Sequence, residues 1–261
     1  MEHLIDSYNY YMSRGDYRVN NWFGMDSPWL TVAVLVFYVL IIYGIKIFMS
    51  DRKPFELRGF MILYNFFQVI ASFYIFVEVA IVAIRSKYSM FCEPVNYSSD
   101  PLAIRMASVL HFYYIMKLVD LLDTVIFALR KKSNQISFLH VFHHSSMVIN
   151  SWCGVKWVAG GQTFFLCCLN SLVHSIMYGY YGLAACGPSV QKYLWWKKYL
   201  TQVQLVQFFV IMSHAVVNIF QKNCEYQKGY SIAFVIYGVF ITSLFLNFYN
   251  KSYSKPKDKI R

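Results

Sequence analysis

Four short stretches of the chain concentrate side chains that can move protons, pair charge or attack a carbonyl carbon. Lys117, Asp120, Asp123 and Thr124 form the first, and His140, His143 and His144 the second. Asn170 and His174 form the third, and Gln204 with Gln207 the fourth. Imidazole exchanges protons near neutral pH, so it serves as acid, base or acyl acceptor, and it is also a common metal ligand. Carboxylates such as Asp120 and Asp123 can orient imidazole rings, and amides can donate to a developing oxyanion. His140 and His144 share a helix face at i, i+4, whereas His143 points about 100° away from His144, so the three need not do one job. Simpler readings stand beside these. Lys117 and Asp120, three apart, can merely neutralise each other. Isolated histidines such as His111 and His214 read as hydrogen-bonded core residues, and His3 as solvated. Cys167 and Cys168 lie about two turns from His174, too far for a hydrogen-bonded nucleophile pair on one helix.

The elements that must hold these groups follow from composition. Of 261 residues, 57% are hydrophobic, 20% aromatic and only 14% charged, which excludes disordered, collagen-like and solvated coiled-coil classes. A mean hydropathy of +0.40 points to a membrane protein. A formal charge of +11 would suggest nucleic acid in a soluble protein. Here the basic residues sit between long uncharged runs, which describes topology and no nucleic-acid site. Apolar runs long enough to cross about 30 Å of hydrocarbon fall near 30–48, 59–84, 106–128, 137–153, 161–185, 201–220 and 230–249. The expected fold is therefore all-α, with seven transmembrane helices in a single multi-pass domain over residues 1–261. A lumenal arm would cover 1–27 and a cytosolic basic tail 250–261. No signal-peptide core, internal repeat or linker divides it.

Charge sets the orientation. With the N-terminus outside, fifteen basic residues face the cytosol and eight the lumen, leaving Lys117 within a span, as the positive-inside rule expects. The N-terminus is then lumenal and the C-terminus cytosolic. Asn96-Tyr97-Ser98 becomes a lumenal glycosylation acceptor, whereas Asn250-Lys251-Ser252 faces the cytosol and stays bare. Lys257 and Lys259, third and fifth from the end, look like a dilysine signal for return to the endoplasmic reticulum. The six cysteines form no CxxC pair. Cys92 and Cys224 both fall in lumenal loops, where an oxidising compartment allows pairing, and two free thiols are the alternative.

Ionisable side chains inside a span cost about 2.5 to 3.5 kcal/mol each at mid-membrane, so their clustering is a site hypothesis. At ~1.5 Å of rise per residue, Asp123, His143, Gln204, Gln207 and His174 all lie within about 16 Å of the cytosolic end of their helices. One polar chamber open to the cytosol, continued by an apolar interior, is expected. Two other classes compete. His140-x-x-His143-His144 is similar to the boxes of membrane di-iron desaturases and hydroxylases, since imidazole and carboxylate suit iron. Those enzymes carry several such boxes; this chain has one, and seven histidines in all. No metal is therefore expected. A seven-helix receptor or channel shares the span count, but it gives no reason for polar groups gathered at one depth.

At these residues the chain resembles the fatty-acyl elongase family, the condensing enzymes of very-long-chain fatty acid synthesis. Lys117-Leu-Val-Asp120-Leu-Leu-Asp123-Thr124, followed by Arg130, Lys131 and Lys132, is similar to its first signature. Gln135-Ile-Ser-Phe138-Leu139-His140-Val-Phe-His143-His144 resembles its histidine box. Asn170-Ser-Leu-Val-His174-Ser-Ile-Met177-Tyr178-Gly-Tyr180-Tyr181 resembles the third signature, and Thr201-Gln-Val-Gln204-Leu-Val-Gln207 the fourth. The family more often has Glu where this chain has Asp120, so that carboxylate reaches less far by one methylene. The Val-Phe inside the box is more like branches acting on longer or polyunsaturated chains.

The resemblance implies condensation of an acyl-CoA with malonyl-CoA, releasing carbon dioxide and CoA and giving a 3-oxoacyl-CoA, with no cofactor. Under it, His143 attacks the acyl thioester, or acts only as general base in a direct condensation. His174 polarises or positions the malonyl group, while His140, Asn170, Gln204 and Gln207 supply donors. His144, Asp120 and Asp123 complete the catalytic set. Lys117, Tyr178 and Tyr181 line the substrate site. Arg130, Lys131, Lys132, Lys197 and Lys198 would attract CoA phosphates or simply anchor the chain at the membrane surface. The acyl tail would occupy the apolar interior. Homo-oligomers and co-operation with the reductases and dehydratase of the elongation cycle are further family expectations.

Overall fold

The computed structural model describes residues 2–254 and is helical throughout, with no strand among them. Lys257 and Lys259 lie outside the described residues. In chain order the helices are α1 (Glu2–Ser13), α2 (Trp29–Phe48), α3 (Arg58–Arg85), α4 (Pro101–Val119) and α5 (Leu122–Leu129). There follow α6 (Phe138–Val158), α7 (Thr163–Ala185), the one-turn α8 (Pro188–Gln191), α9 (Lys197–Phe220) and α10 (Lys228–Tyr249). A backbone in lipid must satisfy its own hydrogen bonds, and helices do so segment by segment. Four segments are long and apolar enough to cross a membrane, Trp29–Phe48, Arg58–Arg85, Lys197–Phe220 and Lys228–Tyr253, which makes this a multi-pass membrane protein. The other long helices, α4, α6 and α7, carry most of the site residues, and those polar groups dilute their hydropathy.

Six helices close into a ring: α3 packs along α7, α7 on α9, α9 on α10, α10 on α6, α6 on α4 and α4 back on α3. A further contact between α4 and α7 runs across the ring, while α2 lies outside against α5 and α6. Only Thr31 and Tyr38 of α2 are buried; Val34, Leu35 and Ile42 pack partly buried on the main core, and most of its other apolar side chains face outward. The main apolar core joins Ile75, Val79 and Val82 of α3 to Met106, Leu110 and Tyr114 of α4 and Val148 and Trp152 of α6. Lipid tails are as apolar as these residues, so close packing and polar contacts between helices hold such a bundle. Local signals fix the ends. Asp100 Oδ1 accepts from the Leu102 and Ala103 amides (2.9 and 3.3 Å) ahead of Pro101, and Ser137 Oγ accepts from the His140 amide (3.2 Å). Between α6 and α7, Gly161 adopts φ 54°, and a Cβ there would sit 2.7 Å from Glu93 O.

The structure corrects two sequence expectations. The run at 106–128 is not one rod: α4 ends at Val119 and α5 begins at Leu122. Across this break the amides of Leu121, Asp123 and Thr124 donate three residues back, to Leu118, Asp120 and Leu121, at 3.2–3.3 Å. This short tightened turn changes the angular spacing of the side chains it carries. Likewise, residues 1–27 are not simply a polar arm. Beyond α1, Val19 and Met25 are fully buried in the main core. Lys156 Nζ on α6, itself only 1% exposed, donates to Asn20 Oδ1 (2.8 Å) and Met25 O (3.0 Å). Trp152 Nε1 donates to Gly24 O (2.7 Å). The segment thus closes over one end of the bundle.

Candidate active site

The tightened turn between α4 and α5 builds the centre of the site. Lys117 and Asp120 are both buried, with Nζ and Oδ2 3.0 Å apart. A buried ion pair needs its remaining lone pairs filled, and here α3 and α7 fill them. Gln68 Nε2 donates to Asp120 Oδ1 (2.6 Å) and lies 3.1 Å from the Tyr64 hydroxyl. The Tyr178 hydroxyl is 3.0 Å from Asp120 Oδ1 and 2.9 Å from Asp123 Oδ2. A phenol has one proton, so the two carboxylates share a single donor.

Lys117 Nζ also lies 3.4 Å from His174 Nδ1. An ammonium can only donate, so Nδ1 must accept, and the neutral ring then carries its proton on Nε2. The contact makes His174 a hydrogen-bond donor at its far nitrogen. Of the histidine box, His140 Nε2 is 2.9 Å from Thr124 Oγ1, which is 2.7 Å from the Tyr38 hydroxyl. His140 and His144 have ring centroids 4.3 Å apart, as their shared face requires. His143 stands edge-on to His144 at 5.6 Å and to Phe245 at 5.8 Å. Among the described residues no side-chain hydrogen bond engages the His143 ring, which leaves its nitrogens available for chemistry.

Several sequence-predicted residues take other places. Asp120 and Asp123 hydrogen-bond Lys117, Gln68 and Tyr178, so Thr124 holds the box histidine instead of either carboxylate. Asn170 Oδ1 accepts from the Tyr113 hydroxyl at 2.8 Å. Gln204 Nε2 is 3.3 Å from Met177 Sδ, and Gln207 is buried with Oε1 unpartnered among the described residues. Among the described residues neither amide hydrogen-bonds a histidine or a carboxylate. Tyr181 is 39% exposed and packs edge-on against Tyr180. Lys131, Lys132, Lys197 and Lys198 are exposed and Arg130 is half-buried. Lys131 Nζ donates to Ser50 O (3.0 Å), and Lys198 lies over the Tyr249 ring. No group of three or more His, Cys, Asp or Glu is arranged to hold a metal ion among the described residues.

At the end of the bundle closed by the N-terminal segment, a disulfide joins Cys92 to Cys224 across 132 residues. Asn96 is exposed on the neighbouring loop, where its Oδ1 accepts from the Ser98 amide at 2.9 Å. Sequence reading missed Tyr64 and Gln68, Tyr38, and Tyr113. The available signal was Tyr64 and Gln68 at i, i+4 inside an apolar run, a spacing that puts both on one face. Tyr38 and Tyr113 gave no such signal, because tyrosines are numerous in every span.

Residues 23–261 match the family described as ELO: GNS1/SUR4. The chain is 45% identical to very long chain fatty acid elongase 4 of Homo sapiens over 253 residues, covering 97% of this chain and 80% of that protein. It is 44% identical to very long chain fatty acid elongase 1 of Homo sapiens over 259 residues, covering 98% and 93%. Against very long chain fatty acid elongase 7 of Drosophila melanogaster it is 43% identical over 249 residues, covering 95% and 75%.

Proposed function

The chain belongs to the ELO: GNS1/SUR4 family, and from that membership we infer that it is a condensing enzyme of fatty acid elongation, a very-long-chain 3-oxoacyl-CoA synthase. It joins a long-chain acyl-CoA to malonyl-CoA, with loss of carbon dioxide and CoA. The observation that carries the reading is the meeting of Lys117, Asp120 and His174 beside a histidine box whose His143 is unengaged.

The His143 ring attacks the acyl thioester, and the CoA thiolate leaves with a proton. Decarboxylation of the malonyl group then forms an enolate. His174 Nε2–H donates to that thioester oxygen, where negative charge develops. The enolate carbon attacks the acyl-imidazole and expels imidazolate, which takes a proton from water to return to neutral imidazole, giving the 3-oxoacyl-CoA. Release of carbon dioxide drives the step, so no cofactor is required. His140, fixed by Thr124, and His144, tilted against it, hold His143 in place. Asp120 orients the Lys117 ammonium and, with Asp123, the Tyr178 hydroxyl, while Asn170, Gln204 and Gln207 lie along the path of the acyl tail.

In this reading the four apolar helices, α6, α7 and the α4–α5 pair give seven crossings. The N-terminus is lumenal and the C-terminus cytosolic. The site opens to the cytosol, where Arg130, Lys131, Lys132, Lys197 and Lys198 attract CoA phosphates. The helix ring encloses an apolar tunnel running to the disulfide end. Endoplasmic reticulum residence through Lys257 and Lys259, glycosylation at Asn96, self-association and work with the reductases and dehydratase of the cycle belong to the same proposal.

Incubating the purified protein with radiolabelled acyl-CoA, without malonyl-CoA, should leave an acyl group on His143 that malonyl-CoA then discharges with carbon dioxide release. Turnover without any trapped acyl group would favour direct condensation with His143 as base. No carbon dioxide from the complete mixture would overturn the condensing reading itself.

A further inference from the structure

A small cavity of about 40 Å3 lies between α7, α9 and α10, away from the histidine box. Its position along each helix is informative. On α7 it is lined by Thr163 and Leu166, which continue the His174 and Asn170 face back by turns of three or four residues, and by Gln162 at the cap just before the helix. On α9 it is lined by Ile211, His214, Ala215 and Asn218, in the same register with Gln207. On α10, Tyr230, Ser231 and Phe234 precede Tyr237 in the same way, and Tyr237 bonds Ser146 of the histidine-box helix. From His174 to Thr163 the rise along α7 is about 16 Å. The cavity therefore continues the lining of the candidate active site toward the disulfide.

Most of its polar side chains satisfy one another. Thr163 Oγ1 and the Tyr226 hydroxyl are 2.8 Å apart, Ser231 Oγ donates to Asn218 Oδ1 (2.9 Å), and Asn218 Nδ2 lies 3.3 Å from Cys224 Sγ. Two groups are left out. Gln162 is 5% exposed, yet neither its Oε1 nor its Nε2 has a partner among the described residues, and the same holds for His214 Nε2. The His214 ring is stacked on Phe165 at 4.2 Å, which fixes where that nitrogen sits. A buried amide with no partner is costly, so such groups are ordinarily matched by something that can both donate and accept.

On the reading given above, the far end of the substrate's acyl chain is what travels down this lining. We propose that Gln162 and His214 form a polar tail-end site that takes an acyl chain carrying a terminal hydroxyl. A hydroxyl donates once and accepts, which suits an amide that offers both functions and an imidazole nitrogen beside it. The space admits one small polar group and no headgroup. A terminal methyl reaching the same place leaves all three atoms unpaired, so the site discriminates by the chemistry of the chain's end as well as by its length.

The test uses the full-length protein with malonyl-CoA and matched acyl-CoA pairs, terminally hydroxylated or not, over a series of lengths, reading carbon dioxide release. In the wild type the hydroxylated partner should become the better substrate at the lengths that reach the cavity. Gln162→Leu and His214→Phe keep side-chain size and the Phe165 stack, and each should lower the hydroxylated-to-plain ratio of kcat/KM about tenfold. The ratio is measured within one preparation, so poor folding of a variant does not mimic the effect. A hydroxylated chain inferior at every length in the wild type overturns the proposal, as does an unchanged ratio in both variants, which would mean that the cavity holds water only. Carbon dioxide release from neither substrate would instead refute the condensing activity on which the proposal rests.

Discussion

Lys117 Nζ stands between Asp120 Oδ2 at 3.0 Å and His174 Nδ1 at 3.4 Å, so one ammonium ties the break in the α4–α5 rod to the facing histidine of α7. Because the ammonium has only protons to offer, it dictates which His174 nitrogen carries hydrogen. Replacing it with Met, similar in length but without donors, frees the ring to adopt the other tautomer. Lys117→Met should lower kcat by about 100-fold or more, within the range of a positioned proton donor, with a much smaller change in the acyl-CoA KM. Steady-state carbon dioxide release decides this; an equal rise in KM with kcat intact would assign Lys117 to binding alone.

The shared hydroxyl of Tyr178 gives a second prediction. In Tyr178→Phe, Asp120 and Asp123 lose their common donor while the ring packing against Tyr64 stays. Hydrogen bonds to charged groups contribute about 1.5–3 kcal/mol. The variant should melt earlier in detergent and turn over slowly, and an unchanged melting curve would show that the phenol is not needed between the carboxylates.

Thr124 should matter through His140. Thr124→Val keeps the shape but removes the hydroxyl that links Tyr38 to His140. Slower formation of the trapped acyl-enzyme, with unaltered membrane insertion, is expected. Thr124→Ser should restore most of the rate, since it returns the oxygen. Failure of Ser to rescue would reduce Thr124 to a packing role.

The Cys92–Cys224 bond should govern stability and leave the chemistry alone. Closing a long loop restricts the unfolded chain, an effect of typically about 2–4 kcal/mol. Cys92→Ser should lower the melting temperature, and the surviving folded protein should retain its turnover number. Equal melting of mutant and wild type under oxidising conditions would remove the bond from the stability account.

Asn96 tests sidedness. The side chain is exposed, and its loop lies beside the disulfide. Expression in a glycosylating cell should give a product shortened by endoglycosidase, and Asn96→Gln should abolish the shift. A shift that persists in Asn96→Gln, moving instead with Asn250→Gln, would invert the assigned orientation.

Much of this fold is written in plain apolar runs, because a span must be long and uninterrupted whatever its neighbours are. Six of the seven predicted runs fall on one helix each and the run at 106–128 on two, and the histidines, carboxylates and Lys117 stood out because polar groups are conspicuous in such runs. What could not be read was angular. The break after Val119 swings Asp123 and Thr124 away from a continuous helix, so the carboxylates meet Tyr178 and Gln68 while a threonine meets the histidine. Three-residue tightening leaves no compositional trace. The docking of residues 16–25 was hidden for a related reason: a polar stretch before the first span reads as solvated until a partner such as Lys156 is known.

That docking has a bearing on biogenesis. Residues near 20 leave the ribosome well before α6, yet the lysine that receives them belongs to the fourth long rod and the cysteine that locks the neighbouring loop comes later still, at 224. One mouth of the barrel must therefore stay unsealed through most of translation, exposing Val19 and Met25 meanwhile. Its final closure doubles as a checkpoint: a chain truncated or mis-inserted before α6 presents an unburied leading segment, and one that stops short of Cys224 an unpaired thiol, to whatever inspects newly made membrane proteins.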